Sequence, residues 1–270
     1  MSRNKIDRTG EANVSNEGCV MKIVEYNNAN DIIVEFQDEH KCRVHAQYVN
    51  FQKGQCKNPF YPSVCGHGYL GVDKNGNVPK TREFKDGKWR NTWEYLKWQN
   101  MLQRCFDNKY KEKHPTYKEA TCCDRWLCFA NFLEDFEILK QEYNWSDNEK
   151  LQLDKDILHK GNKIYSLENC VLVPQWINSL FTKRDNDRGE YPIGVSYRKQ
   201  NKKYQAQCRI NEKITRLGYY NTIEEAFNAY KQVKEQEIKR VANECVSKGF
   251  ISKDSRLYKA MISYQVKIDD

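Results

Sequence analysis

The chain has 270 residues, 39% hydrophobic and 13% aromatic, which is enough apolar material to fold and too much for a disordered chain. Its 45 Lys+Arg exceed its 37 Asp+Glu for a net charge of +8, a moderate basic excess that suits a polyanionic partner without requiring one. No run approaches the ~18–20 apolar residues that cross a bilayer, and Met1 to Asp7 lacks the apolar stretch of a signal peptide. The 11 cysteines are odd in number and lack framework spacing, so a reducing cytoplasm is expected and a disulfide scaffold is not.

An α+β, multidomain chain is expected. Residues 10–65 read as a small β-rich, SH3-like module. Val20 to Val24 and Asp31 to Phe36 are rich in β-branched residues, Tyr26 to Asn30 between them is turn-like, and a third strand fits Cys42 to Tyr48. Residues 66–88 hold turn signals at Lys74-Asn75-Gly76 and Lys85-Asp86-Gly87 and read as a linker or hairpin.

Residues 89–182 are mixed. Trp93, Leu96, Met101 and Leu102 sit near helical spacing, and Asp124 to Leu139 gives a second helix with Trp126, Phe129, Phe132 and Phe136 on its apolar face. Leu151 to Leu158, a turn at Lys160 to Lys163, Tyr165 to Pro174 and Gln175 to Leu180 then read as strand, turn, strand and helix. In residues 190–243, Lys203 to Ile210 alternates as a half-buried strand, and Ile214 to Tyr219 is another strand. Thr222 caps a helix with Glu225 three residues on, the spacing of a capping box. Lys183 to Arg240 holds 14 Lys and Arg against 8 Asp and Glu, most of the basic excess. Residues 244–270 read as a helical tail.

The third segment carries Tyr191-Pro192-Ile193-Gly194-Val195-Ser196-Tyr197-Arg198, then Lys203 to Ile210, then Leu217-Gly218-Tyr219 and the helix opening Glu224-Glu225-Ala226. Over about fifty residues it resembles the Apetala-type (ethylene-response-factor) DNA-binding domain. The resemblance implies a three-stranded sheet lying in the major groove of duplex DNA. Carried over, the contacts fall to Arg198, Gln207, Arg209 and Arg216, with Lys202 and Lys203 near the backbone. Arg forks onto guanine and Gln pairs with adenine, so the residue types suit the role. Some family positions that hold Trp or Glu are Gln or Arg here, so no target sequence carries over.

The middle segment carries Leu153-Asp154-Lys155-Asp156-Ile157, Gly161-Asn162-Lys163, Tyr165 to Cys170 and Ile177-Asn178. Over roughly ninety residues it resembles the HNH nuclease core of phage-encoded and homing-type endonucleases. That resemblance implies a ββα unit holding one divalent ion, Mg²⁺ or Mn²⁺, with Asp154 and Asn178 as metal ligands and Asn169 as the loop-fixing asparagine. Lys155 stands where the family has its general-base His. A lysine is a poor base at neutral pH unless strongly desolvated, though it can contact phosphate. His159 is the nearest imidazole and the substitute candidate. The candidate catalytic set is therefore Asp154, Lys155, His159 and Asn169.

Zinc is not expected. Cys122-Cys123 with Cys128 lacks the usual paired spacing, and His40, His45, His67 and His114 lie in separate contexts. The expected function is sequence-directed binding of double-stranded DNA with metal-dependent nicking or cleavage, in the cytoplasm of a bacterial host if phage-encoded. Two rivals use the same modules: a catalytically degenerate DNA-binding or regulatory protein, and a protein that blocks a host factor by direct contact. Lys155 favours the degenerate reading; Asp154 and Asn178 together favour the enzyme.

Overall fold

Alternating apolar and polar residues build the first sheet. In the computed structural model, which describes residues 6–146, 149–182, 190–211 and 213–269, four strands pair antiparallel in chain order: Ala12–Val14 (β1), Val20–Asn28 (β2), Asp31–Phe36 (β3) and Arg43–Ala46 (β4). Met21, Ile23, Ile32, Val34 and Phe36 turn to one face, and Tyr48–Gln52 (α1) closes over them with Tyr48 and Phe51. The chain divides into two compact units, Met1–Phe136 and Glu137–Asp270.

The first unit continues with a hairpin of Arg82–Lys85 (β5) and Lys88–Asn91 (β6). Its turn is the Asp86-Gly87 pair, both residues at positive φ (51° and 73°), which is the backbone a two-residue hairpin turn requires. A boundary between 88 and 89 therefore falls inside this hairpin, because Trp89 belongs to β6. Thr92 then caps Trp93–Phe106 (α2) by accepting from the Tyr95 N–H. After Asn108–Lys113 (α3) and the short strand Thr121–Cys122 (β7), Phe129–Gln141 (α4) begins. Trp98, Trp126, Phe129, Phe132 and Phe136 are fully buried here. The Trp98 indole N–H reaches the Trp126 carbonyl at 2.7 Å, and the Trp126 indole N–H reaches Asp135 at 2.7 Å, so both buried donors are satisfied.

The second unit contains Leu151–Asp154 (β8), Ile164–Tyr165 (β9), Val171–Pro174 (β10) and Gln175–Phe181 (α5). β8 and β10 are antiparallel partners, with Asp154 opposite Val171, and α5 follows directly. Val195–Arg198 (β11), Lys203–Ile210 (β12) and Lys213–Tyr220 (β13) then form an antiparallel sheet in that order. Ile223–Ser247 (α6) is one helix of 25 residues, about 37 Å long, opened by a complete capping box of Thr222 and Glu225. Arg256–Ser263 (α7) closes the chain.

α6 serves two cores. Its first half packs Phe227 and Tyr230 against Cys208 of the sheet. Its second half packs Ile238, Val241, Ala242 and Cys245 against Val171, Val173 and Ile177 of the ββα unit, together with Leu257 and Met261 of α7. The segment after 243 is thus part of the ββα core. Among the described residues no helix is long and apolar enough to cross a membrane.

Candidate nucleic-acid interface and carboxylate site

Strand register decides which side chains share the open face of the second-unit sheet. Val195 pairs with Ala206, Ser196 with Gln205, and Arg198 with Lys203. Gln207 pairs with Arg216 and Arg209 with Ile214 after a register shift next to Ala206. Alternation then places Arg198, Lys203, Gln205, Gln207, Arg209 and Arg216 on the face away from α6. The described residues of this face include no acid. Arg198, Lys202, Lys203, Arg209 and Arg216 are exposed.

Two of these groups are held in place. Gln205 is buried, accepts a 2.7 Å bond from Arg198 Nε, and donates to the Gln207 side-chain oxygen at 3.3 Å. The Arg198 guanidinium keeps its remaining N–H groups for another partner. The Arg216 guanidinium lies 5.6 Å from the centre of the Tyr219 ring. Gln205 is a positioning residue that pattern reading did not single out; its place on the polar side of an alternating strand was the available signal.

The face is set by a close approach at its base. Gly194 has φ 78°, and a Cβ there would run into the Tyr230 ring of α6. The Gly194 carbonyl accepts the Gln207 N–H at 2.9 Å, which ties the start of β11 to β12. A cleft of about 940 Å³ opens beside this point. Trp176 and Ser179 of α5 and Gln207 and Arg209 of β12 line it, with Lys234 of α6 and with Arg240, which pairs there with Glu237 at 2.7 Å and Glu244 at 2.8 Å. Burial pulls the Lys234 ammonium below the usual lysine range.

In the ββα unit, Asp154 ends β8. One of its carboxylate oxygens accepts the N–H groups of Asp156 and Ile157, both at 2.9 Å, and so caps the turn that follows. Burial first, and the neighbouring Asp156 carboxyl second, push the Asp154 carboxyl up to about 7. Asp156 is the partner that sequence reasoning passed over, although it stands two residues away.

Lys155 is 6% exposed. Its ammonium donates to Asp156 at 3.2 Å and to the Asn162 carbonyl at 3.1 Å, and lies 5.8 Å from the Tyr165 ring centre. His159 is exposed on the loop. Asn169 donates its side-chain amide to the Ile164 carbonyl at 3.4 Å, a weak bond. Asn162 makes the stronger loop clamp: its amide donates to the carbonyls of Lys155 at 2.7 Å and Ile164 at 2.8 Å. Asn178 sits half-buried on α5. Among the described residues no three His, Cys, Asp or Glu side chains gather round a common point.

No protein-family model, curated protein sequence or solved structure matches this chain.

Proposed function

We propose that this chain binds duplex DNA with the β11–β13 sheet and acts on it at the ββα unit as a divalent-metal-dependent endonuclease. The observation that carries the reading is the shared cleft: α5 of the ββα unit and the basic strand β12 line the same opening. Gln207 and Arg209 line that opening, so DNA held by these two residues would lie next to the ββα unit.

The residues present fit a hard cation. Burial first, and the crowding of the Asp156 carboxyl second, raise Asp154; a divalent ion would favour its charged form. The oxygen ligands carried over are Asp154 and Asn178, types that suit Mg²⁺ or Mn²⁺, while Asp156 is held by the Lys155 ammonium at 3.2 Å. Such an ion supplies charge neutralisation at a scissile phosphate. The chain's own contributions are the turn that fixes Asp154, the Asn162 clamp that fixes the loop, and the sheet that holds the DNA.

A second reading, a DNA-binding protein without cleavage, draws on the Lys155 contacts. Its ammonium is engaged with Asp156 and Asn162, and the one nearby imidazole, His159, is exposed. The test separates the two readings. Arg198→Ala with Arg209→Ala should weaken duplex binding by ~2–6 kcal/mol and reduce its salt dependence. Nicking of supercoiled DNA should appear with Mg²⁺ or Mn²⁺ and vanish in Asp154→Ala while DNA affinity holds. Binding that depends on the two arginines without any nicking leaves the second reading. Affinity unchanged by the arginine variant removes both.

A further inference from the structure

The β5–β6 hairpin of the first unit has no part in the reading above. Its aromatic residues stand in water: Phe84 is 62% exposed and Trp89 60% exposed. They are directly opposed in the register, and their rings meet edge to face with centroids 5.6 Å apart. Such a pair stabilises a hairpin, and edge contact is sufficient for that role. More than half of each residue remains open, so both rings can meet a partner.

The surrounding charge says what kind of contact. Lys80, Arg82, Lys85, Lys88 and Arg90 are all exposed, against Glu83 and Asp86. Alternation puts Arg82 on the face of Phe84 and Trp89, with no acid among the strand residues of that face, and Glu83, Lys85, Lys88 and Arg90 on the other. Asp86 is already within 3.8 Å of Arg90. Lys85 and Lys88 are directly opposed across the strands, and like charges so placed cost stability. The hairpin is also firmly mounted, since the Thr92 N–H bonds the Thr81 carbonyl at 2.9 Å and Thr92 caps α2.

We propose that this hairpin is a stacking clamp for unpaired DNA bases, with Phe84 and Trp89 taking the bases and Arg82, on the same face of the hairpin, taking a flanking phosphate. Aromatic stacking with basic side chains is the chemistry by which single strands are held without sequence preference. The proposal is independent of the sheet, because it uses residues of the first unit alone.

The test uses the full chain and a fluorescein-labelled oligothymidylate longer than the ~4–16 nucleotides that such sites cover. Wild type should bind it with strong salt dependence. Phe84→Ala with Trp89→Ala should weaken binding about tenfold or more, while Phe84→Tyr with Trp89→Phe should keep it, because two stacking rings remain. The tryptophan emission lost on replacing Trp89 by Phe should be the part quenched by the oligonucleotide. Duplex binding unchanged in the Arg198/Arg209 variant, with oligothymidylate binding lost in the Phe84/Trp89 alanine variant, would count against the sheet and leave the hairpin proposal standing. Absence of oligothymidylate binding, or equal affinity of wild type and the double alanine variant, overturns the proposal.

Discussion

Lys155 and Asn162 hold each other reciprocally: the Lys155 ammonium donates to the Asn162 carbonyl at 3.1 Å, and the Asn162 amide donates to the Lys155 carbonyl at 2.7 Å. Each side chain satisfies the other's backbone, so the loop after Asp154 is closed at both ends. Asn162 adds a third contact on the Ile164 carbonyl. Asn162→Ala should therefore cost about 2 kcal/mol, at ~0.5–1.5 for each bond removed, read as a shift in the urea midpoint. Lys155→His should also destabilise, by ~1–3 kcal/mol, because a shorter ring leaves the part-buried Asn162 carbonyl without its donor. A variant as stable as wild type would show that the Lys155 bonds add nothing.

α7 should be indispensable to the ββα unit. Leu257 is fully buried in the core shared with Val171, Val173 and Ile238, so Leu257→Ala should cost ~2–5 kcal/mol. Arg256 acts from the next position. It pairs with Glu142 at 2.6 Å and donates to the carbonyls of Leu167, Glu168 and Cys170, which fixes the loop before β10. Arg256→Ala should cost about 2 kcal/mol through those carbonyl bonds. Calorimetry should show the sheet and the ββα unit melting together, since α6 belongs to both cores. Two separated transitions within residues 137–270 would contradict the shared helix.

These interlocked parts differ in how far the sequence announced them. The alternation of Lys203 to Ile210 and the Thr222/Glu225 box are local signals, and both formed the elements expected. The α+β class follows from the same local patterns. The length of α6 was also written locally, since Ile238, Val241, Ala242 and Cys245 continue its apolar stripe. A family resemblance that stops near 243 hides that continuity. The pairing of Asp154 with Asp156, the Asn162 clamp and the burial of Gln205 depend on a turn and a register shift. Neither has a periodic signature, so charge and residue type alone could not place them.

Gly194 should tolerate no side chain. Its φ of 78° disfavours any L residue, and the space where a Cβ would sit is filled by the Tyr230 ring. Gly194→Ala should destabilise by about 2 kcal/mol or more and should disturb the sheet face, because Gly194 also anchors Gln207. Circular dichroism melting gives the first effect and loss of duplex affinity the second. A stable Gly194→Ala with full affinity would refute the close approach.

Glu237 should give part of the second unit an acid-side stability limit. The carboxyl is 6% exposed and lies on α6, where Arg240 first, and then the Asn211 N–H of the β12–β13 turn at 3.0 Å, hold it below the usual glutamate range. A carboxyl whose folded value is depressed contributes stability that is complete above its unfolded value of ~4.3 and is lost as pH falls through the lower folded value. Glu237→Gln keeps the shape and removes the charge. The variant should be less stable than wild type at about pH 6, and the difference should shrink as the pH is taken down to about 3. Urea midpoints at several pH values measure both. A gap that stays constant with pH would mean that shape and packing, rather than the charge on Glu237, tie the turn to α6.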